Sequence, residues 1–292
     1  MPETTHQPYQ VIIADGLTKK YGDRTILESL DLTVSEGEHI ALVGPSGCGK
    51  STLLSIIAGL NSQTEGLIKV FGESDEQQRL SYCAWMPQKD LLFPWMSVAE
   101  NTALSLTNRH TSRGKALKEV LPYLERFGLG EYADKPPYAM SGGMRQRASF
   151  VRTILTGKDL LLFDEPFGAL DSITRMDLQN WLKGTLASMN KTSVLVTHDV
   201  EEALILSNRV VVMSRNPGRI IHEIPGFFSS DLDRSELAAQ EDFVRSRELI
   251  IGYLRDAQDP QYGKQTGEAP GTAPDDGESD MAVAASKNGK ED

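Results

Sequence analysis

Gly44-Pro45-Ser46-Gly47-Cys48-Gly49-Lys50-Ser51 fits the pattern G-x-x-x-x-G-K-[ST]. Glycines carry no Cβ, so backbone N–H groups in such a run can turn inward around a phosphate. Lys50 brings a point charge suited to β- and γ-phosphates, and the Ser51 hydroxyl can ligate Mg²⁺. The flanks agree with that reading. Residues 38–43 end in an apolar strand, and residues 50–60 read as a helix with Leu53, Ile56, Ile57 and Leu60 at i, i+3, i+4 and i+7. A strand, a glycine loop and a helix N-terminus together make an anion site.

The remaining chain bounds the class of protein. It has 292 residues, 39% of them hydrophobic, which is ample for a core. The formal net charge of −11 argues against nucleic acid and against unspecific attachment to anionic lipid, both of which require clustered Lys and Arg. Two cysteines, Cys48 and Cys83, make no disulfide framework and suit a reducing compartment. No stretch approaches the ~18 apolar residues of a membrane span, and Met1–Gln10 lacks the basic and apolar regions of a signal peptide. Any membrane role is therefore expected to run through a partner.

Strand-like runs at 27–34, 66–72, 160–163, 193–197 and 210–213 alternate with helical segments, and residues 89–157 read as mainly helical. Strands separated by helices imply a largely parallel sheet covered on both faces. The expected fold is α/β, with an inserted helical subdomain between two halves of the core. Residues 235–257 read as one amphipathic helix with Phe243, Val244, Ile250, Ile251 and Leu254 on one side. The expected organisation is a nucleotide-hydrolysing domain over 1–257, including this helical extension, followed by a tail over 258–292. Eight acids stand against three lysines in that tail, whose composition is that of a disordered segment.

A second chemical element is Leu160-Leu161-Leu162-Phe163-Asp164-Glu165. Four apolar residues make a buried strand, and two carboxylates follow at its C-terminal end, where open α/β sheets bind ligands. Asp164 is suited to hold Mg²⁺ and Glu165 to polarise an attacking water. Such a pair alone would read as a solvated acidic turn; with the phosphate loop it reads as hydrolytic. Gly142 and Gly143 let backbone amides approach an anion at a helix start, and Ser141 adds a hydroxyl.

Ser141-Gly142-Gly143-Met144-Arg145-Gln146-Arg147 resembles the signature motif of the ATP-binding cassette (ABC) family. Gln88 in Met86-Pro87-Gln88, Asp171 in Gly168-Ala169-Leu170-Asp171, His198 after Val194–Thr197, and Tyr21 in Lys20-Tyr21-Gly22 resemble its other motifs, in the family's order, over about residues 10–226. The fold that this resemblance implies is a phosphate-loop NTPase (RecA-like) core with a mainly parallel sheet and a small antiparallel β subdomain. The resemblance also implies an ATPase that uses Mg²⁺ and works as a homodimer, with two ATP molecules sandwiched between two chains. It implies Glu165, His198 and Gln88 as catalytic residues. The nucleotide would meet Tyr21, the loop residues Gly44, Pro45, Ser46, Gly47, Cys48, Gly49, Lys50, Ser51 and Thr52, and Ser141, Gly142, Gly143 and Asp171. Ser51, Gln88 and Asp164 would surround the metal. Met144 stands where the family's usual Leu-Ser-Gly-Gly-Gln has Gln and cannot make the amide hydrogen bonds of that residue, while the Ser-Gly-Gly core is intact.

Within the family the chain is most similar to ATPases of nitrate/sulfonate/taurine-type importers, on Gln88 through Trp95, Ser141–Arg147 and Pro217-Gly218-Arg219-Ile220. The stretches 147–153 and 164–171 further resemble ATPases for thiamine-precursor (hydroxymethylpyrimidine-type) pyrimidines. What this implies is a peripheral subunit on the cytoplasmic face of the inner membrane, bound to integral permease subunits and indirectly to a solute-binding protein. Leu91, Leu92, Phe93, Trp95 and Met96 would seat a helix of the permease. The rival is a soluble ABC ATPase acting in translation, repair or assembly; such proteins carry tandem cassettes or coiled-coil inserts, and this chain has neither. A kinase or GTPase with the same loop would leave Ser141–Gly143 and His198 without a role.

Overall fold

The computed structural model describes residues 9–257 apart from His110, Ala169 and Asn190; the expected tail at 258–292 lies outside the described residues. Two long strands open the chain, β1 (Gln10–Tyr21) and β2 (Arg24–Ser35), followed by β3 (His39–Val43), α1 (Lys50–Ile57) and β4 (Glu65–Val70). β1 pairs antiparallel with both β2 and β4, giving a three-stranded sheet in the order β2-β1-β4. Next come α2 (Glu76–Tyr82) and β5 (Cys83–Met86), then three helices, α3 (Val98–Asn108), α4 (Arg113–Arg126) and α5 (Gly142–Ile154), before β6 (Leu160–Asp164). The chain continues through α6 (Ser172–Met189), β7 (Thr192–Val196), α7 (Val200–Leu206), β8 (Arg209–Met213) and β9 (Ile220–Pro225). It ends in α8 (Arg234–Ala238) and α9 (Glu241–Asp256).

The larger sheet has six strands in the order β5-β6-β7-β3-β8-β9, parallel except for β9. Its central strands are buried along their whole length, as parallel strands covered on both faces must be. Alternation then divides their side chains between two cores. Ile40 and Leu42 of β3, with Leu160 and Leu162 of β6, join α1 and the small sheet. Ala41, Val43, Leu161 and Phe163 face the helices on the other side.

An aromatic cluster ties the helical segment to that second core. The ring of Phe150 on α5 lies 5.6 Å from Phe163 on β6, 5.6 Å from Trp181 on α6 and 6.0 Å from Phe127 beyond α4. The single helix expected over 235–257 is two helices. The chain breaks at Gln240, whose extended backbone precedes α9, while α8 starts on a capping box between Asp233 and Glu236. Leu237, Phe243 and Ile250 carry the apolar face inward.

Candidate functional site

Parallel order brings the C-terminal ends of β3, β5, β6 and β7 to one edge of the sheet. The phosphate-loop run leaves β3, and Gln88, Asp164–Glu165 and Thr197–His198 leave β5, β6 and β7. This is the edge at which open α/β sheets bind ligands. A cleft of about 390 Å³ opens there, lined by Ser46, Gly47, Gly49, Lys50, Ser51 and Thr52 together with Tyr21, Gln88 and Glu165. Arg24 and Ile26 line it too, and the sequence offered no signal for either, since they are ordinary residues at the start of a strand.

Gly47 and Gly49 have φ of 79° and 104°, so the loop turns through conformations that suit glycine. A Cβ on Gly49 would also sit 2.6 Å from Leu27. Lys50 is buried at the start of α1 and donates to the carbonyls of Gly44 (2.7 Å) and Pro45 (3.1 Å). Its ammonium is thus held over the loop, where the helix N-terminus adds its own positive end. Cys48 is buried with its Sγ 3.7 Å from the Lys50 ammonium, and burial pushes its thiol pKa up, with Lys50 opposing. Gly44, Pro45 and Cys48 back the loop and do not line the cleft. Gly218 presses on the loop from behind, where a Cβ would stand 2.0 Å from the Cys48 carbonyl oxygen. That contact gives Gly218 a structural reason that its sequence neighbourhood does not show.

The acidic pair divides. Asp164 is buried at the end of β6, and burial raises its pKa, while a hydrogen bond from the Ser51 hydroxyl and the charge of Lys50 oppose the rise. Glu165 leaves the strand with φ of 50°, a left-handed conformation rare outside glycine. Its Oε2 accepts from Gln88 Nε2 at 2.8 Å and lies 3.8 Å from His198 Nδ1. Two oxygen-bearing side chains, Ser51 and Asp164, therefore meet beside the phosphate loop, and a carboxylate, an amide and an imidazole meet beside them.

Tyr21 is half-exposed at the cleft mouth, its hydroxyl accepting from Asn61 at 2.6 Å and Lys19 lying 4.7 Å from its ring centroid. Ser141 caps α5, accepting from Met144 N at 3.3 Å, and Ser141 and Gly142 are exposed. None of Ser141, Gly142, Gly143 or Asp171 lines this chain's own cleft. Asp171 caps the start of α6 through the Thr174 amide, which lowers its pKa. Of the apolar run after Gln88, Leu91, Phe93 and Trp95 are exposed, Met96 is half-buried, and Leu92 turns into the core. Asn101 holds that segment, accepting from Phe93 N at 2.7 Å and donating to Phe93 O at 3.1 Å.

A mixed sheet with this loop, this acidic strand end and this cleft defines a phosphate-loop nucleotide-binding protein. The ABC transporter family model matches residues 27–168. An aliphatic sulfonates import ATP-binding protein of Pseudomonas syringae is 41% identical over 219 residues, 75% of this chain and 86% of that protein. A taurine import ATP-binding protein of Pelagibacter ubique is 37% identical over 241 residues, 82% and 91% of the two. The dimeric structure of the ATP-binding cassette MJ0796 bound to ADP and Pi superposes with a TM-score of 0.66 at 29% identity, covering 73% of this chain and 98% of that one. The chain belongs to the ABC transporter family.

Proposed function

We propose that this protein is the ATP-hydrolysing subunit of a membrane importer for a small nutrient, with a sulfonate- or taurine-like anion the cargo class that its relatives favour. The observation that carries the hydrolytic reading is the meeting of Glu165, Gln88 and His198 beside the phosphate loop. The thiamine-precursor pyrimidine remains the second cargo class, resting on residues 147–153 and 164–171 alone.

The ATP phosphates would lie against the amides of 46–51 and Lys50, with Tyr21 offering an aromatic face to the base. Glu165 would take up a proton from the attacking water, Gln88 orienting its carboxylate and His198 donating toward the γ-phosphate. The metal's neighbours would be Ser51, Asp164 and Gln88; these hard oxygen donors, few in number, suit Mg²⁺, which keeps several waters and phosphate oxygens. Mg²⁺ would supply charge neutralisation on the phosphates.

Ser141–Gly143 and Asp171 stand away from their own cleft, which supports a working homodimer in which each chain completes the other's site. The exposed Leu91, Phe93 and Trp95, beside Gln88, fit a groove for a helix of the permease. Among the described residues no helix is long and apolar enough to cross a membrane, so attachment would be peripheral, on the cytoplasmic face, with a solute-binding protein acting through the permease. The experiment is affinity capture of the full chain from detergent-solubilised membranes with ATPase assay of the eluate. A polytopic partner that co-elutes and stimulates Mg²⁺-dependent hydrolysis supports the importer; ribosomes or repair factors in its place would favour the soluble alternative.

A further inference from the structure

Glu202 lies in the first turn of α7 and is 3% exposed, yet no part of the hydrolytic reading uses it. Its surroundings close a ring around the turn that carries His198. The Thr197 hydroxyl accepts from Asp199 N at 3.1 Å, and Thr197 lines the same small cavity as Glu202. Asp199 Oδ1 in turn accepts from Glu202 N at 3.1 Å. The residues on either side of His198 are thus fastened to each other, and Asp199 is fastened in turn to the Glu202 backbone, with the buried Glu202 side chain in the cavity wall beside them.

Two buried atoms remain without hydrogen-bond partners here, Glu202 Oε1 and Arg175 Nε. Both residues line one small cavity of about 10 Å³, whose wall also includes Glu165, Gly168 and His198. That volume holds about one water, and the unpartnered acceptor and donor belong to two residues of its wall, the kind of partners such a water requires. Arg175 also reaches Asp199 Oδ2 at 4.0 Å and donates to Leu170 O at 3.1 Å, joining the cavity to the segment after β6.

We propose that Glu202 is a positioning residue for His198: its buried carboxyl, with Thr197, Arg175 and one cavity water, fixes the turn that sets the imidazole beside Glu165. The proposal rests on the reading of His198 and Glu165 as hydrolytic residues. Burial, reinforced by Asp199, pushes the Glu202 carboxyl up to about 8, with Thr197, Arg175 of α6 and Arg234 of α8 opposing. The group is therefore largely protonated near neutrality. Ionisation above about 8 puts a charge into a cavity that already faces Glu165 and Asp199, so the strap weakens on the alkaline side.

The test is Mg²⁺-ATP turnover of the full chain, followed through neutrality to above pH 8, for Glu202→Ala, Glu202→Gln and His198→Ala. Glu202→Ala should lower kcat about tenfold or more with KM for ATP held within about twofold, because a misplaced catalytic group costs rate, not ground-state binding. Glu202→Gln, which mimics the neutral carboxyl in shape, should keep near-parental kcat at neutrality and lose the parent's fall above about 8. A Glu202→Ala protein as fast as the parent, or a Glu202→Gln protein with the parent's alkaline fall intact, overturns the proposal. If His198→Ala is slow while Glu202→Ala is not, Glu202 alone is refuted; if His198→Ala matches the parent, the reading of His198 falls as well. Should Glu202→Ala fail to fold, the pH profile of Glu202→Gln decides.

Discussion

Gln88 Nε2 donates to Glu165 Oε2 across 2.8 Å, joining residues 77 positions apart in the chain. The amide leaves β5 and the carboxylate leaves β6, its neighbour in the sheet. Parallel pairing sets both at the same edge, and Glu165 leaves the strand in a left-handed backbone conformation. A segment that carries exposed Leu91, Phe93 and Trp95 is thereby wired to the group expected to activate water. Movement of that segment would be felt at Glu165 through one hydrogen bond.

Glu165→Gln should lower ATP turnover by about 10²–10⁴-fold while leaving nucleotide binding intact, since the amide keeps shape but cannot accept a proton. The ATP-bound dimer should then accumulate. Phosphate release and size-exclusion chromatography with ATP check both outcomes; parental turnover would remove Glu165 from its assigned role.

Gly218→Ala should weaken the phosphate loop from behind. The added Cβ would meet the Cys48 carbonyl oxygen at 2.0 Å, and backbone cannot yield as a flexible side chain does. Overpacking of this kind costs about 1–3 kcal/mol. Denaturant melts should show the loss, and titration with ATP should show weaker binding although no nucleotide-contacting residue has changed.

His39 predicts an acid-sensitive fold. Burial lowers its pKa to about 4, with Glu38 opposing, and its ring hydrogen-bonds Ser193 Oγ at 2.9 Å. The unfolded chain binds this proton below about pH 6.5, the folded chain only below about 4. Stability is therefore full above 6.5 and declines as pH falls toward 4, by on the order of 3 kcal/mol from this residue. Urea melts across that window should show the decline, and His39→Gln should flatten it.

Phe150→Ala should destabilise the protein by about 3–5 kcal/mol, because the ring is buried among Phe127, Phe163 and Trp181 and its removal leaves a cavity between them. The loss should fall on the junction between α5 and the sheet. Hydrogen exchange would register it as faster amide exchange in α3–α5 than in β1 and β2.

The amino-acid sequence by itself determined the class of fold and the phosphate loop. The apolar strand before Gly44, the helical spacing of Leu53, Ile56 and Ile57 and the glycines between them are local requirements of sterics and periodicity, legible without knowing what packs where. The helix expected over 50–60 nonetheless ends at Ile57, and Leu60 is exposed. The acidic pair was legible for the same reason, as four apolar residues ending in charge. Only the tertiary structure decided that Cys48 and Leu92 face inward while Leu91 faces solvent, that Gly218 must lack a side chain, and that the helix expected over 235–257 breaks at Gln240. Only the structure joined Glu202 to the turn carrying His198, and kept Ser141 and Asp171 out of their own cleft. These facts depend on which faces of distant elements meet, and hydrophobic periodicity constrains the face of one element without naming its partner.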